Sequence, residues 1–185
     1  MGTLVYTGII SLDGYLNDPH GRFDWAAPSE EVHAFVNELE RGTGTYLYGR
    51  RMYDTMTYWE TTMTDTDDSP ITADFQRIWR AARKVVYSTS LDAVATEDTT
   101  IERVFDPDAV ADLVGRADTD VSIGGAHLAA QALRAELVGE IRMLLVPVIV
   151  GGGTAFLPEG LRLELELRDE RRFANGTVYL RYAVA

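Results

Sequence analysis

Three short segments of this 185-residue chain carry groups able to hold a phosphate. Gly49-Arg50-Arg51, Ser88-Thr89 and Gly124-Gly125-Ala126-His127-Leu128 each follow an apolar run. Glycine lets a backbone N–H come close to an anion, and a helix starting there adds roughly half a positive charge at its N-terminus. Arg50 or Arg51 would add a guanidinium fork suited to bidentate contact with phosphate oxygens. Each segment also has a plainer reading: adjacent arginines can be a solvated pair on a helix face, and Ser88 and Thr89 can be turn formers. Gly-Gly alone falls short of a full dinucleotide fingerprint. Together, at the ends of parallel strands, the three would line one rim and could cradle a pyrophosphate.

Composition narrows the chemistry further. There are no cysteines, which excludes disulfides, thiolate zinc sites and cysteine nucleophiles. The three histidines, His20, His33 and His127, are scattered, and no HExxH motif is present. A net charge of −12 argues against nucleic-acid partners, which need a basic footprint. Local arginines and amides would have to hold any anionic ligand against that overall field. With 46% hydrophobic residues the chain can bury a sizeable core, and its length fits one domain spanning 1–185. No apolar stretch approaches the length of a membrane span, so no membrane partner and a cytoplasmic location are expected by default.

The elements that would position these groups follow from periodicity. Leu4 to Ile10 is apolar almost throughout, which predicts a central strand buried on both faces. Ser11 to Gly21 is a loop rich in Asp, Asn, Gly and Pro. Its Asp13-Gly14 pair reads either as a turn or as part of a loop closing over a strand-end site. Ser29 is expected to cap a helix running to about Arg41, with Val32, Phe35, Val36 and Leu39 on its apolar stripe. Phe23 and Trp25, just before it, read as packing aromatics or as ligand contacts. Thr45–Tyr48 predicts a second strand and Arg50–Met56 a short helix. Thr61 to Ile71 reads as an acidic loop, Asp74 to Ala82 as a helix, and Lys84 to Ser90 as a third strand. A short strand near Thr100 to Val104 precedes a helix capped at Asp106-Pro107-Asp108. Strand Asp120–Ile123 and helix His127–Leu137 follow. Glu140 to Val150 predicts the longest apolar strand, with Pro147 arguing for an edge or a bulge. The C-terminal part alternates, and Ala174-Asn175-Gly176 predicts a hairpin turn. The fold class expected is α/β with a mixed, mostly parallel sheet and an antiparallel end.

Several motifs, taken in order, resemble the dihydrofolate reductase-like superfamily, with the RibD C-terminal domain family of riboflavin-pathway reductases as the nearest likeness. They are Ser11-Leu12-Asp13-Gly14, Leu47-Tyr48-Gly49-Arg50-Arg51-Met52-Tyr53, Val86-Tyr87-Ser88-Thr89, Ile123-Gly124-Gly125-Ala126 and Pro147-Val148-Ile149-Val150-Gly151-Gly152-Gly153. The likeness implies a three-layer α/β/α fold and NADPH-dependent hydride transfer to a small heterocyclic or carbonyl substrate. Arg50, and by extension Arg51, would meet the 2′-phosphate, with Gly49 in the same turn. Ser88 and Thr89 would line the adenosine side. Gly124, Gly125, Ala126, His127 and Leu128 would hold the pyrophosphate, with a cis Gly-Gly bond. The loop Asp13 to Asn17 would flank the nicotinamide, so Asp13 is a candidate catalytic group. Glu31 lies four residues before Phe35, as the acid of folate-reducing members lies before an aromatic, and is the second candidate. Glu30 is its one-residue alternative, and both glutamates also suit a helix's first turn. Phe35 and Trp25 are the candidate substrate-facing aromatics. Dihydrofolate reductase and a non-catalytic NADPH-binding protein are the alternative readings. The likeness also implies a homodimer, expected through an exposed apolar strand around Leu144–Ile149.

Overall fold

Leu4–Ser11 forms β1 in the centre of an eight-stranded sheet, as its apolar run requires. The computed structural model describes residues 2–63 and 69–185. The other strands are β2 (Thr43–Gly49), β3 (Arg83–Tyr87), β4 (Thr99–Glu102), β5 (Asp120–Gly124), β6 (Glu140–Val146), β7 (Leu165–Arg172) and β8 (Val178–Val184). Their order is β4-β3-β2-β5-β1-β6-β8-β7. All pairings from β4 to β6 are parallel, whereas β8 pairs antiparallel with both β6 and β7.

The helices are α1 (Glu30–Glu40), α2 (Arg50–Met56), α3 (Tyr58–Thr61), α4 (Pro70–Ala81), α5 (Pro107–Arg116) and α6 (Ala126–Arg134). Alternation along the strands divides them into two layers. Val32 of α1 packs with Leu144 and Tyr179, and Phe75 and Trp79 of α4 pack with Tyr46, Tyr48 and Val86. The opposite face, built from Leu4, Tyr6, Leu47 and Ile123, receives Val110 of α5 and Leu128, Ala129 and Leu133 of α6. Parallel crossovers keep one hand, so reversing direction along the sheet must switch faces. From β1 the chain steps through β2, β3 and β4 with α1–α4 on one face. It then returns to β5 and β6 with α5 and α6 on the other.

Several expected boundaries shift, each for a local reason. Strand β2 begins at Thr43, before the expected Thr45, because Thr43 pairs with Asp120 of β5, with Gly44 at the register shift. Helix α4 begins at Pro70, well before Asp74, with the fixed proline φ at its first position. The acidic loop expected at Thr61 to Ile71 falls partly outside the described residues. Helix α6 stops at Arg134, and Glu136 then takes a φ of 58°. Strand β6 ends at Val146, so Pro147 lies beyond it. Nor is β6 an edge strand, since β1 and β8 flank it. Within the stretch Leu144–Ile149, expected to be exposed, Leu144 is fully buried whereas Ile149 is 70% exposed.

The segment 147–164 returns across the second face, where Phe156 stacks on Tyr6 with ring centroids 4.1 Å apart. The Tyr6 hydroxyl donates to the Phe156 carbonyl at 3.0 Å. This seat needs Gly8, since a Cβ there would lie 2.5 Å from the Phe156 ring. Gly8→Ala should therefore overpack the centre of the fold and lower stability by about 1–3 kcal/mol. Urea unfolding should show a reduced midpoint with an unchanged slope.

Candidate active site at the carboxyl ends of the parallel strands

The strand registers bring the three sequence-predicted segments together. Tyr48 pairs with Gly124, and Gly49 pairs with Tyr87, the residue before Ser88. All three turns thus share one rim. Strands β2 and β5 are neighbours whose following helices, α2 and α6, lie on opposite faces of the sheet. That is a topological switch point, the crevice in which open α/β sheets bind ligands.

The glycines there are structural necessities. A Cβ on Gly124 would stand 2.9 Å from the Tyr48 ring and 3.1 Å from Met52 Cγ. Gly125 has a φ of 97°, in the left-handed region, and a Cβ on it would sit 3.6 Å from the Gly49 amide nitrogen. The two glycine turns therefore touch. The described peptide bonds are all trans, so the expected cis Gly124–Gly125 bond is corrected. The positive φ of Gly125 turns the chain from β5 into α6 without it. Leu128 and Ala129 donate back to the Gly125 carbonyl. The N–H groups of Ala126 and His127 find no protein acceptor among the described residues and point out of the helix start. His127 is exposed, whereas the Leu128 side chain belongs to the core.

Arg50 is half-exposed, and its Nε lies 2.8 Å from both carboxylate oxygens of Asp54. Arg51 is exposed and has no ion-pair partner among the described residues. Ser88 is buried, and its hydroxyl accepts from the N–H of Ser90 and Leu91, while Thr89 is exposed. Ser88 thus takes the turn-forming role.

The loops after β1 and β6 bind each other beside this rim. Asp13 accepts from the N–H of Gly151 at 2.8 Å and of Val150 at 3.2 Å. Asn17 accepts from Thr154 N–H, and Tyr15 bridges to Ala155. A hydrogen bond from the Ser11 side chain, followed by the N–H groups of Gly151 and Val150, holds the Asp13 carboxyl below the usual carboxylate range. Asp13 is therefore a clamp between loops, kept ionised. The 3-10 turn Asp24–Ala26 packs against β1, and Trp25 Nε1 donates to the Arg22 carbonyl at 3.3 Å.

Glu31 stands at the β7–β8 turn, beyond the end of β6. It accepts from Ala174 N–H at 3.1 Å and lies 3.5 Å from Arg171. That turn is three strand spacings from β5, about 14 Å. Phe35 is half-buried, with edge contacts to Phe173 and Tyr179, so it serves the core. The residues that sequence reasoning missed are Asp54 and Arg171. Asp54 was accessible from its i,i+4 spacing to Arg50. Arg171 meets Glu31 across 140 positions, and no local signal announces that.

Residues 3–179 match the family described as the RibD C-terminal domain. The chain belongs to this family. The uncharacterised protein YyaP of Bacillus subtilis is 24% identical over 181 residues, covering 94% of this chain and 90% of that protein. A Shewanella sp. PV-4 protein assigned to riboflavin biosynthesis has a TM-score of 0.75 at 20% identity, with 100% and 99% of the two chains covered. A deaminase/5-amino-6-(5-phosphoribosylamino)uracil reductase from Thermotoga maritima has a TM-score of 0.65 at 13% identity, covering 100% of this chain and 57% of that one. The fold shared by the RibD C-terminal domain family is the dihydrofolate reductase-like one, and the family is generally one of reductases.

Among the described residues, no group of three or more His, Asp or Glu could hold a metal ion, and no helix is long and apolar enough to cross a membrane. The Asp13 clamp has a definite pH signature. A carboxylate whose folded pKa is depressed contributes stability above its ordinary value, about 3.9, and loses it as pH falls through the folded value. The Gly151 amide resonance should titrate below the ordinary carboxylate range, and Asp13→Asn should abolish that titration.

Proposed function

We propose that this chain is an NADPH-dependent reductase of the riboflavin-pathway type, acting on a small heterocyclic or carbonyl substrate resembling 5-amino-6-(5-phosphoribosylamino)uracil. The observation that carries the proposal is the contact of the Gly49 and Gly124-Gly125 turns at a topological switch point. The donor set suits a dinucleotide: N–H groups of Ala126 and His127 that have no acceptor among the described residues, at the start of α6, and two arginines across the crevice. The start of α6 would hold the pyrophosphate. Arg50 and Arg51 would hold the 2′-phosphate, with Arg50 exchanging Asp54 for it. Ser88 would shape the adenosine-side wall through its turn, and Thr89 would offer an exposed hydroxyl.

When bound, the nicotinamide supplies the hydride chemistry. This chain's own part is to orient it against an electrophilic carbon and to exclude water with the joined loops of β1 and β6. Asp13 fixes those loops. Glu31 is the candidate acid at the far end of the rim, with Arg171 and the Ala174 amide beside it. Phe35 orients the helix that carries it, and Trp25 closes the rim from the β1 side.

Fluorescence titration of NADPH and NADH against the wild type and Arg50→Ala tests the assignment. Loss of a charged hydrogen bond should weaken NADPH binding by about 1.5–3 kcal/mol and leave NADH unchanged. Equal losses, or none, would remove Arg50 from the 2′-phosphate site.

A further inference from the structure

An arginine from the neighbouring strand builds the turn that follows β3. Arg103, the residue after β4, donates from Nη1 to the Ser88 carbonyl at 2.9 Å and to the Leu91 carbonyl at 2.8 Å. Nη1 carries two protons, so each carbonyl takes one. Inside the same turn the Ser88 hydroxyl accepts from the N–H groups of Ser90 and Leu91, and the Ser88 N–H donates to the Glu102 carbonyl. Further along, the Tyr53 hydroxyl of α2 accepts from Ala95 N–H and bonds to the Thr96 hydroxyl. The segment 88–96 is therefore held by α2 on one side and by Arg103 on the other.

This hold uses only part of the guanidinium. Arg103 is exposed, and its Nε and Nη2 have no acceptor among the described residues. Two carbonyls fix the orientation of the group, which leaves a flat cation already ordered before anything binds. Its place on the rim follows from the registers. Arg50, Ser88 and Arg103 each come directly after residues paired across β2, β3 and β4. Arg103 thus stands two strand spacings from Arg50, about 10 Å, on the side away from β5. A dinucleotide with its pyrophosphate at the start of α6 and its 2′-phosphate at Arg50 would extend its base in this direction. A second phosphate suits this end poorly, because carboxylates charge it. Burial, followed by the charges of Glu102 and Asp106, pushes the Tyr87 hydroxyl up to about 12.

We propose that Arg103 forms the base end of the site: Nη1 sets the Ser88–Leu91 turn, and the flat guanidinium stacks on the adenine ring. The assignment rests on the rim being a dinucleotide site. It gives Arg103 a part that Arg50 does not have, since the base is common to NADPH and NADH and the 2′-phosphate is not.

Fluorescence titration of Arg103→Ala and Arg103→Lys with NADPH and with NADH tests it. Arg103→Ala should weaken both cofactors by the same factor, roughly three- to thirty-fold, the worth of a guanidinium–ring contact. Lysine can donate to the same carbonyls but has no flat face. Arg103→Lys should therefore keep the wild-type urea midpoint and still bind both cofactors more weakly. A loss confined to NADPH would move Arg103 to the 2′-phosphate and overturn the base contact. Full affinity in Arg103→Lys overturns it too, because the residue then only holds the turn. Wild-type affinity in Arg103→Ala overturns the whole assignment while leaving the dinucleotide site standing. A wild type that binds neither NADPH nor NADH removes the dinucleotide site itself, and this assignment with it.

Discussion

Strands β2 and β5 can approach at their C-terminal ends only because Gly124 has no side chain, and the rest of the candidate site depends on that approach. The Tyr48 ring and Met52 occupy the space a Cβ would need. Gly125 then turns with a positive φ against Gly49, placing the start of α6 beside the start of α2. One close packing contact thus converts two unrelated turns into a single crevice. Its aromatic half is fixed from below, since Trp79 Nε1 donates to the buried Tyr48 hydroxyl at 3.1 Å.

The two ends of the parallel strands divide the polar work. At the amino ends, charges are buried in pairs. Glu140 accepts from Arg142 and Arg181, and Arg142 also approaches Asp120. Lys84 lies fully buried with its ammonium 4.6 Å from the Trp79 ring centroid and Glu60 nearby. Burial raises the Glu40 carboxyl above its usual range, although the Tyr46 hydroxyl donates to it. Removing one member of such a pair leaves an uncompensated charge, so these residues are costly to replace. At the carboxyl ends the donors are backbone N–H groups and half-exposed arginines, which a ligand can satisfy. The stable end and the binding end are therefore separated along the strands.

At the carboxyl ends the loops after β1 and β6 are held by side chains that accept from backbone amides. Asp13, Asn17 and Asp18 each take this role. Gly153 allows the two loops to touch, as a Cβ there would stand 2.0 Å from the Asn17 carbonyl oxygen. Aspartate and asparagine suit such positions because their short side chains reach nearby amides without long-chain entropy.

The sequence by itself determined the strand–helix succession, the central place of β1, the caps at Ser29 and Asp106, the Asn175-Gly176 hairpin and the three phosphate-suited turns. These are local consequences of periodicity, capping chemistry and glycine's backbone freedom. It also carried the resemblance to the family, read from five motifs taken in order. What it left open involved partners distant in the chain. Glu31 and Phe35 matched a spacing, but tertiary packing joins Glu31 to Ala174 and seats Phe35 against Phe173 and Tyr179. Asp13 read as a turn or a lid residue until the β6 loop was placed against it. The apolar run Glu140 to Val150 read as an edge or bulged strand at Pro147, because hydrophobicity does not say which neighbour covers it. Pairing with β1 and β8 buries Leu144, while Ile149, beyond the strand's end, stays exposed. Only the order of strands in the sheet could decide that, since the same pattern of residues is core or surface according to what lies over it.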